Sequence, residues 1–119
     1  MKILIVEDST AMRQLLAMAV KKRAGAEVSE APDGLAALKL LSQAHYDLAF
    51  VDLNMPVLDG MKLIQRIRQD GHQTRICVVT TESAQSTEEH ARALGADWFL
   101  RKPVSRRDVE RVLAEAFPG

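Results

Sequence analysis

The chain has 119 residues, enough for one hydrophobic core without disulfides or a structural metal. Hydrophobic residues make up 47% and charged residues 27%, and sixteen Lys+Arg balance sixteen Asp+Glu, so the overall charge favours neither nucleic acid nor a membrane surface. Apolar runs stop at about four or five residues, too short for a membrane span, and "MKILIVED" lacks the length and cleavage site of a signal peptide; the sequence reads as a single cytoplasmic domain, 1–119.

The first apolar run, "KILIV" at 2–6, suits a strand buried on both faces, as in a parallel sheet covered by helices. It leads into Glu7 and Asp8, and Asp8 or Ser9 is placed to cap a helix whose apolar stripe is Met12, Leu15, Leu16, Ala19 and Val20. Gly25 marks a stop, and the more polar "EVSEA" at 27–31 fits an edge strand. Asp33 caps a second helix with the stripe Leu35, Leu38 and Leu41. "LAFV" at 48–51 is again a buried strand, and it runs straight into Asp52. Asp59 beside Gly60 reads as a turn or cap opening a helix on Ile64 and Ile67, which Gly71 ends. "ICVV" at 76–79 contains the only cysteine, Cys77, read as a small buried hydrophobe, and leads to Thr80. The helix expected over 84–94 has only Ala91 and Leu94 as clearly apolar positions, so it should be the least firmly held. After Gly95, "WFL" at 98–100 precedes Lys102, and Ser105 caps a last helix with Val109, Val112, Leu113 and Ala116. This βαβαβαβαβα alternation predicts an α/β protein with a parallel sheet and right-handed crossovers.

In such sheets ligands bind beyond the carboxyl ends of the strands. Glu7, Asp8 and Asp52 fall there, and a polar group at the mouth of a core strand costs free energy unless something satisfies it. Carboxylates brought close together raise one another's pKa or recruit a cation, and a few hard oxygen ligands suit Mg²⁺. Thr80 adds a hydroxyl and Lys102 a point positive charge. Together these residue types form a phosphoryl-transfer constellation: a nucleophile with groups that neutralise charge on the moving phosphoryl group.

The stretches "IVEDS", "VDLNMPVLDG", "VVTTES" and "RKP", in this order and spacing, resemble the receiver domain of two-component response regulators, most of all the single-domain chemotaxis type. The likeness covers the whole chain. It implies a flavodoxin-like doubly wound (βα)5 fold with a five-stranded parallel sheet in the order 2-1-3-4-5. It implies that Asp52 accepts a phosphoryl group from a phosphohistidine of a sensor histidine kinase or phosphotransfer protein. Asp8 and Asp52, with the Asn54 backbone carbonyl, would bind Mg²⁺ directly, and Glu7 would act through water. Lys102 would pair with the phosphoryl group, its bond to Pro103 being commonly cis in the family. Thr80 and Phe99 would be the switch pair, Thr81 and Glu82 would modulate the rates, and a downstream protein would read 84–94, 98–101 and 106–116.

Several positions depart from the family's usual residues. Thr81 stands where Ala or Gly is usual, Trp98 where a small or polar residue is common, Val104 where Phe is frequent, and Phe99 keeps the ring of Tyr without its hydroxyl. None removes a catalytic group. A phosphorylation-independent interaction module is disfavoured because the acidic pair, Asp52 and Lys102 are intact. An aspartyl phosphohydrolase would want an acid two residues after its nucleophile, where this chain has Asn54. His45, His72 and His90 are scattered without metal-ligand spacing and read as surface residues.

Overall fold

A computed structural model describes residues 1–119. Strands and helices alternate as β1 (Lys2–Val6), α1 (Thr10–Lys21), β2 (Glu27–Ala31), α2 (Gly34–Gln43), β3 (Leu48–Asp52), α3 (Gly60–Gln69), β4 (Arg75–Thr80), α4 (Gln85–Leu94), β5 (Trp98–Arg101) and α5 (Arg106–Ala116). All strand pairs are parallel and the sheet order is β2-β1-β3-β4-β5, as the resemblance implies. The polar β2 is at one edge and β5, with Trp98, at the other.

The central strands are apolar throughout because both faces are covered. Leu4, Val6, Ala49, Val51, Ile76 and Val78 point into one core with Ala37 and Leu41 of α2, Leu63, Ile64 and Ile67 of α3, and Ala91 of α4. Their neighbours Ile3, Ile5, Leu48, Phe50, Cys77 and Val79 point into the other core with α1 and α5. Every residue of β3 is buried, Asp52 included, so its final carboxylate is held by backbone that cannot easily move.

Local chemistry sets the helix starts. Ser9, not Asp8, caps α1 by accepting the Met12 N–H at 3.3 Å, which leaves the Asp8 carboxylate free. Asp33 and Asp59 accept the Ala36 and Lys62 N–H groups, and Ser105 forms a capping box with Asp108. Only α4 begins without a side-chain cap, at Ala84, and it buries a single residue, Ala91. Its weak hold agrees with its thin apolar stripe.

Two apolar stripes differ from expectation. Leu15 is 61% exposed, because Leu16, Ala17 and Val20 set the phase of α1 and Leu15 lies about 100° of helical rotation from Leu16. Leu35 is 56% exposed for the same reason: Ala37 and Leu41 set the phase of α2 and Leu35 falls on its outer side. Gly25 lies in the turn beyond the end of α1 rather than at its last residue.

Gly60 fixes how α3 approaches the end of β3. Its N–H donates to the Leu53 carbonyl at 3.0 Å, and a Cβ there would lie 2.4 Å from the Asp52 carbonyl oxygen and 2.6 Å from the Leu53 Cα. Both are backbone atoms of the most deeply held strand and its exit, so neither yields cheaply. Gly60→Ala should therefore destabilise the fold by about 1–3 kcal/mol in urea unfolding; an unchanged midpoint would mean that α3 can move away freely.

Candidate functional site

The strand order decides which side chains meet. β1 lies between β2 and β3, and β3 between β1 and β4, so Glu7 and Asp8 after β1 come beside Asp52 at the end of β3. One carboxylate oxygen from each of the three lies within 4.8 Å of the others. Glu7 and Asp52 are almost fully buried, at 1% and 4% exposure, while Asp8 is exposed at the mouth.

Lys102 reaches this cluster from the exit of β5. Its Nζ donates to Glu7 Oε1 at 2.6 Å and lies 3.4 Å from Asp52 Oδ2. The Lys102–Pro103 bond is cis. Asp52 Oδ1 also accepts the Asn54 N–H at 3.1 Å. Thr80 is fully buried at the end of β4, and its hydroxyl oxygen accepts the Glu82 N–H at 3.1 Å, which ties the start of the β4–α4 loop to the strand. Thr81 and Glu82 are exposed beside it. Phe99 is half-buried against the core beneath α4.

Electrostatics make the cluster incomplete. Burial, reinforced by the Asp52 carboxylate, pushes the Glu7 carboxyl above its ordinary range, with Lys102 opposing. Burial alone would lower the Lys102 ammonium, but the Glu7 hydrogen bond and the two carboxylate charges outweigh it and hold it above its ordinary value. Glu7 Oε2 is buried without any hydrogen-bond partner. An unpaired buried carboxylate oxygen is costly, and three carboxylates face one ammonium. A hard divalent cation fits this oxygen-only donor set and would relieve both deficits.

The structure thus brings together Glu7, Asp8, Asp52 and Lys102, with the Asn54 N–H on Asp52. Thr80 is buried at the end of the neighbouring β4 with Thr81 exposed after it, and Phe99 lies on β5. His45 and His90 are exposed and outside the cluster. Three features had no signal in the sequence. Arg13 of α1 donates to the Glu7 carbonyl at 2.9 Å and pairs with Glu30 at 3.2 Å, steadying the chain at the acidic pair. Val57 has a φ of 71° and is 76% exposed, closing a tight turn in which the Leu58 N–H donates to the Pro56 carbonyl at 2.8 Å. Arg101 reaches out from the end of β5 to the β4–α4 loop and to α4. The largest groove, of about 320 Å³, lies elsewhere, between α1 and α5 beneath the exposed Leu15 and Met18.

Residues 3–114 match the response regulator receiver domain. The chain belongs to this family. Receiver domains are phosphorylatable switches of two-component systems, signalling elements rather than ordinary enzymes, and they typically bind Mg²⁺ and interact with histidine kinases or phosphotransfer proteins. The receiver domain described here is 36% identical over 113 residues to the sensor histidine kinase RcsC of Escherichia coli strain K12, covering 95% of this chain and 12% of that protein. It is 34% identical over 110 residues to the transcriptional regulatory protein TctD of Salmonella typhimurium, covering 92% of this chain and 49% of that one. The chain therefore spans about half or less of the length of these curated relatives. Among solved structures, the Vibrio cholerae chemotaxis protein CheY4 superposes with a TM-score of 0.89 at 31% identity, covering 98% of both chains. No helix of the receiver domain is long and apolar enough to cross a membrane.

The crowded carboxylates predict a specific stability effect. In chelator, Asp8→Asn removes one of three like charges and should stabilise the fold by about 1 kcal/mol. Mg²⁺ at ten times its dissociation constant should stabilise the wild type by about 1.4 kcal/mol, and the variant by less at the same concentration. Urea unfolding with and without Mg²⁺ measures both; an equal metal effect on the two proteins would remove Asp8 from the metal site.

Proposed function

We propose that residues 1–119 form one receiver domain in which Asp52 is the phosphoacceptor. The observation that carries this reading is a nearly buried carboxylate at a rigid strand end, facing two further carboxylates and a lysine. A carboxylate oxygen of Asp52 attacks the phosphorus of the donor's phosphohistidine. The new O–P bond forms as the P–N bond breaks, and the departing imidazole takes up a proton. Lys102, 3.4 Å from Asp52 Oδ2 at rest, pairs with a phosphoryl oxygen in the product. Asp8, Asp52 and the Asn54 carbonyl would hold Mg²⁺ directly and Glu7 through water. When bound, the ion would neutralise charge on the phosphoryl oxygens.

Thr80 and Phe99 carry the change outward. The Thr80 hydroxyl turns to the phosphoryl group, Phe99 follows inward, and α4 shifts. The loose hold on α4 supports this reading, since a two-state element must be cheap to move. The output face is then α4 with 98–101 and 106–116, read by a downstream protein in the cytoplasm. Exposed Thr81 narrows the approach to Asp52 and slows both gain and loss of the phosphoryl group, with Glu82 beside it as a second modulating position.

Acetyl phosphate and intact-protein mass spectrometry test the assignment. The wild type should gain one phosphoryl group with Mg²⁺ present and none in excess chelator, and Asp52→Asn should gain none. Labelling of Asp52→Asn, or labelling in chelator, would sink it. In the same assay Thr81→Ala should react and decay faster, up to about tenfold, which needs only ~1.4 kcal/mol on the barrier; unchanged or slower rates would refute the steric role.

A further inference from the structure

Arg101 has no place in the chemistry above, yet its guanidinium connects two of the parts that are proposed to move, Phe99 and α4, with the loop that joins Thr80 to α4. It is the last residue of β5, paired in register with Thr80. Its Nη2 donates to the Ser83 carbonyl in the β4–α4 loop at 3.3 Å and lies 3.4 Å from Glu88 Oε1 on α4. The same group sits over the Phe99 ring, 5.4 Å from its centroid.

The line of contacts continues along α4. Glu88 Oε2 accepts from Arg92 Nε at 3.0 Å, and Arg92 Nη1 donates to the Asp97 carbonyl at 3.1 Å in the turn before β5. Polar contacts therefore run from one end of α4 to the other. They matter here because α4 buries only Ala91 and has no side-chain cap at its start. Each contact alone is weak, since all are open to solvent. Several on one guanidinium, holding a helix with little else to fix it, can set where that helix rests.

We propose that Arg101 is a positioning residue that latches the switch in its resting arrangement, an inference that rests on the reading of Asp52, Thr80 and Phe99 given above. Movement of 81–84 toward a phosphoryl group draws the Ser83 carbonyl from the guanidinium. Inward movement of Phe99 takes the ring from beneath it, and displacement of α4 takes Glu88 away. All three contacts belong to the resting state. A ligand that favours the other state must overcome them, so removing them tightens its binding by the factor through which the resting state loses weight. Because the latch is an exposed ionic network, salt weakens it.

Beryllofluoride with Mg²⁺, a mimic of the phosphoryl group, tests this by titration followed through backbone amide signals. Arg101→Met keeps an aliphatic cover on Phe99 but removes the guanidinium. Its binding midpoint should be lower than wild type by about threefold, and the gap should narrow as salt is raised. Without the mimic, its amide signals over 81–94 should already lie part-way along the line from free to bound wild type, which a merely structural loss would not produce. Arg66→Met breaks a comparable exposed pair with Asp70, 3.1 Å long, at the end of α3, and should leave the midpoint unchanged. Equal or weaker binding by Arg101→Met, or an equal gain in Arg66→Met, would overturn the latch. If the wild type fails to bind the mimic, the assignment of Asp52 falls first and takes the latch with it.

Discussion

The structure turns on the burial of Glu7 and Asp52 against a single ammonium. Lys102 donates to one at 2.6 Å and approaches the other at 3.4 Å, while Glu7 Oε2 stays without a partner. Such a cluster lowers stability unless a cation completes it, and a fold retains it only where the charge is used. Much of the neighbouring architecture serves to hold these groups. β3 is buried along its whole length, Gly60 lets α3 close over its end, Arg13 grips the Glu7 backbone, and Ser9 takes the capping role that would otherwise occupy Asp8.

The opposite property appears on the β4–β5 side. There the sheet ends in an edge strand, and α4 lies over it with one buried residue and a set of exposed ion pairs. Rigidity at the carboxylates and looseness at α4 are complementary. Chemistry needs groups fixed to fractions of an ångström, whereas a signal needs an element with two arrangements of similar free energy. Thr80 is buried at the end of β4, and Phe99 lies half-buried on the neighbouring strand, between the rigid and the loose regions.

Much of this was legible in the sequence. The strand at 2–6 is legible at its observed bounds because an apolar run in a doubly covered sheet leaves little ambiguity, the polar EVSEA at 27–31 fits an edge strand instead, and the caps Asp33, Asp59 and Ser105 follow from local hydrogen bonding. The carboxylates stood out because acids rarely end core strands. The strand order did not follow from periodicity, which records alternation and not neighbours; it came from the family resemblance. Leu15 and Leu35 lie on the outer faces because Leu16, Ala17 and Val20 set the phase of α1 and Ala37 and Leu41 that of α2, and the stripes of large apolar residues leave out Ala17 and Ala37. The turn at Val57 was hidden because a β-branched residue gives no signal for positive φ. The Arg101 contacts depend on three segments distant in sequence, which no local pattern records.

A crystal structure of the wild type grown with Mg²⁺ and beryllofluoride decides whether Asp52 is the phosphoacceptor beside a metal held by the three carboxylates. Beryllium should be bonded to a carboxylate oxygen of Asp52, Mg²⁺ should be held by Asp8, Asp52 and the Asn54 carbonyl with Glu7 reached through water, and Lys102 Nζ should have moved from Glu7 to a fluorine. A mimic bound at another residue, or a metal seated away from the three carboxylates with Lys102 still on Glu7, would contradict this arrangement.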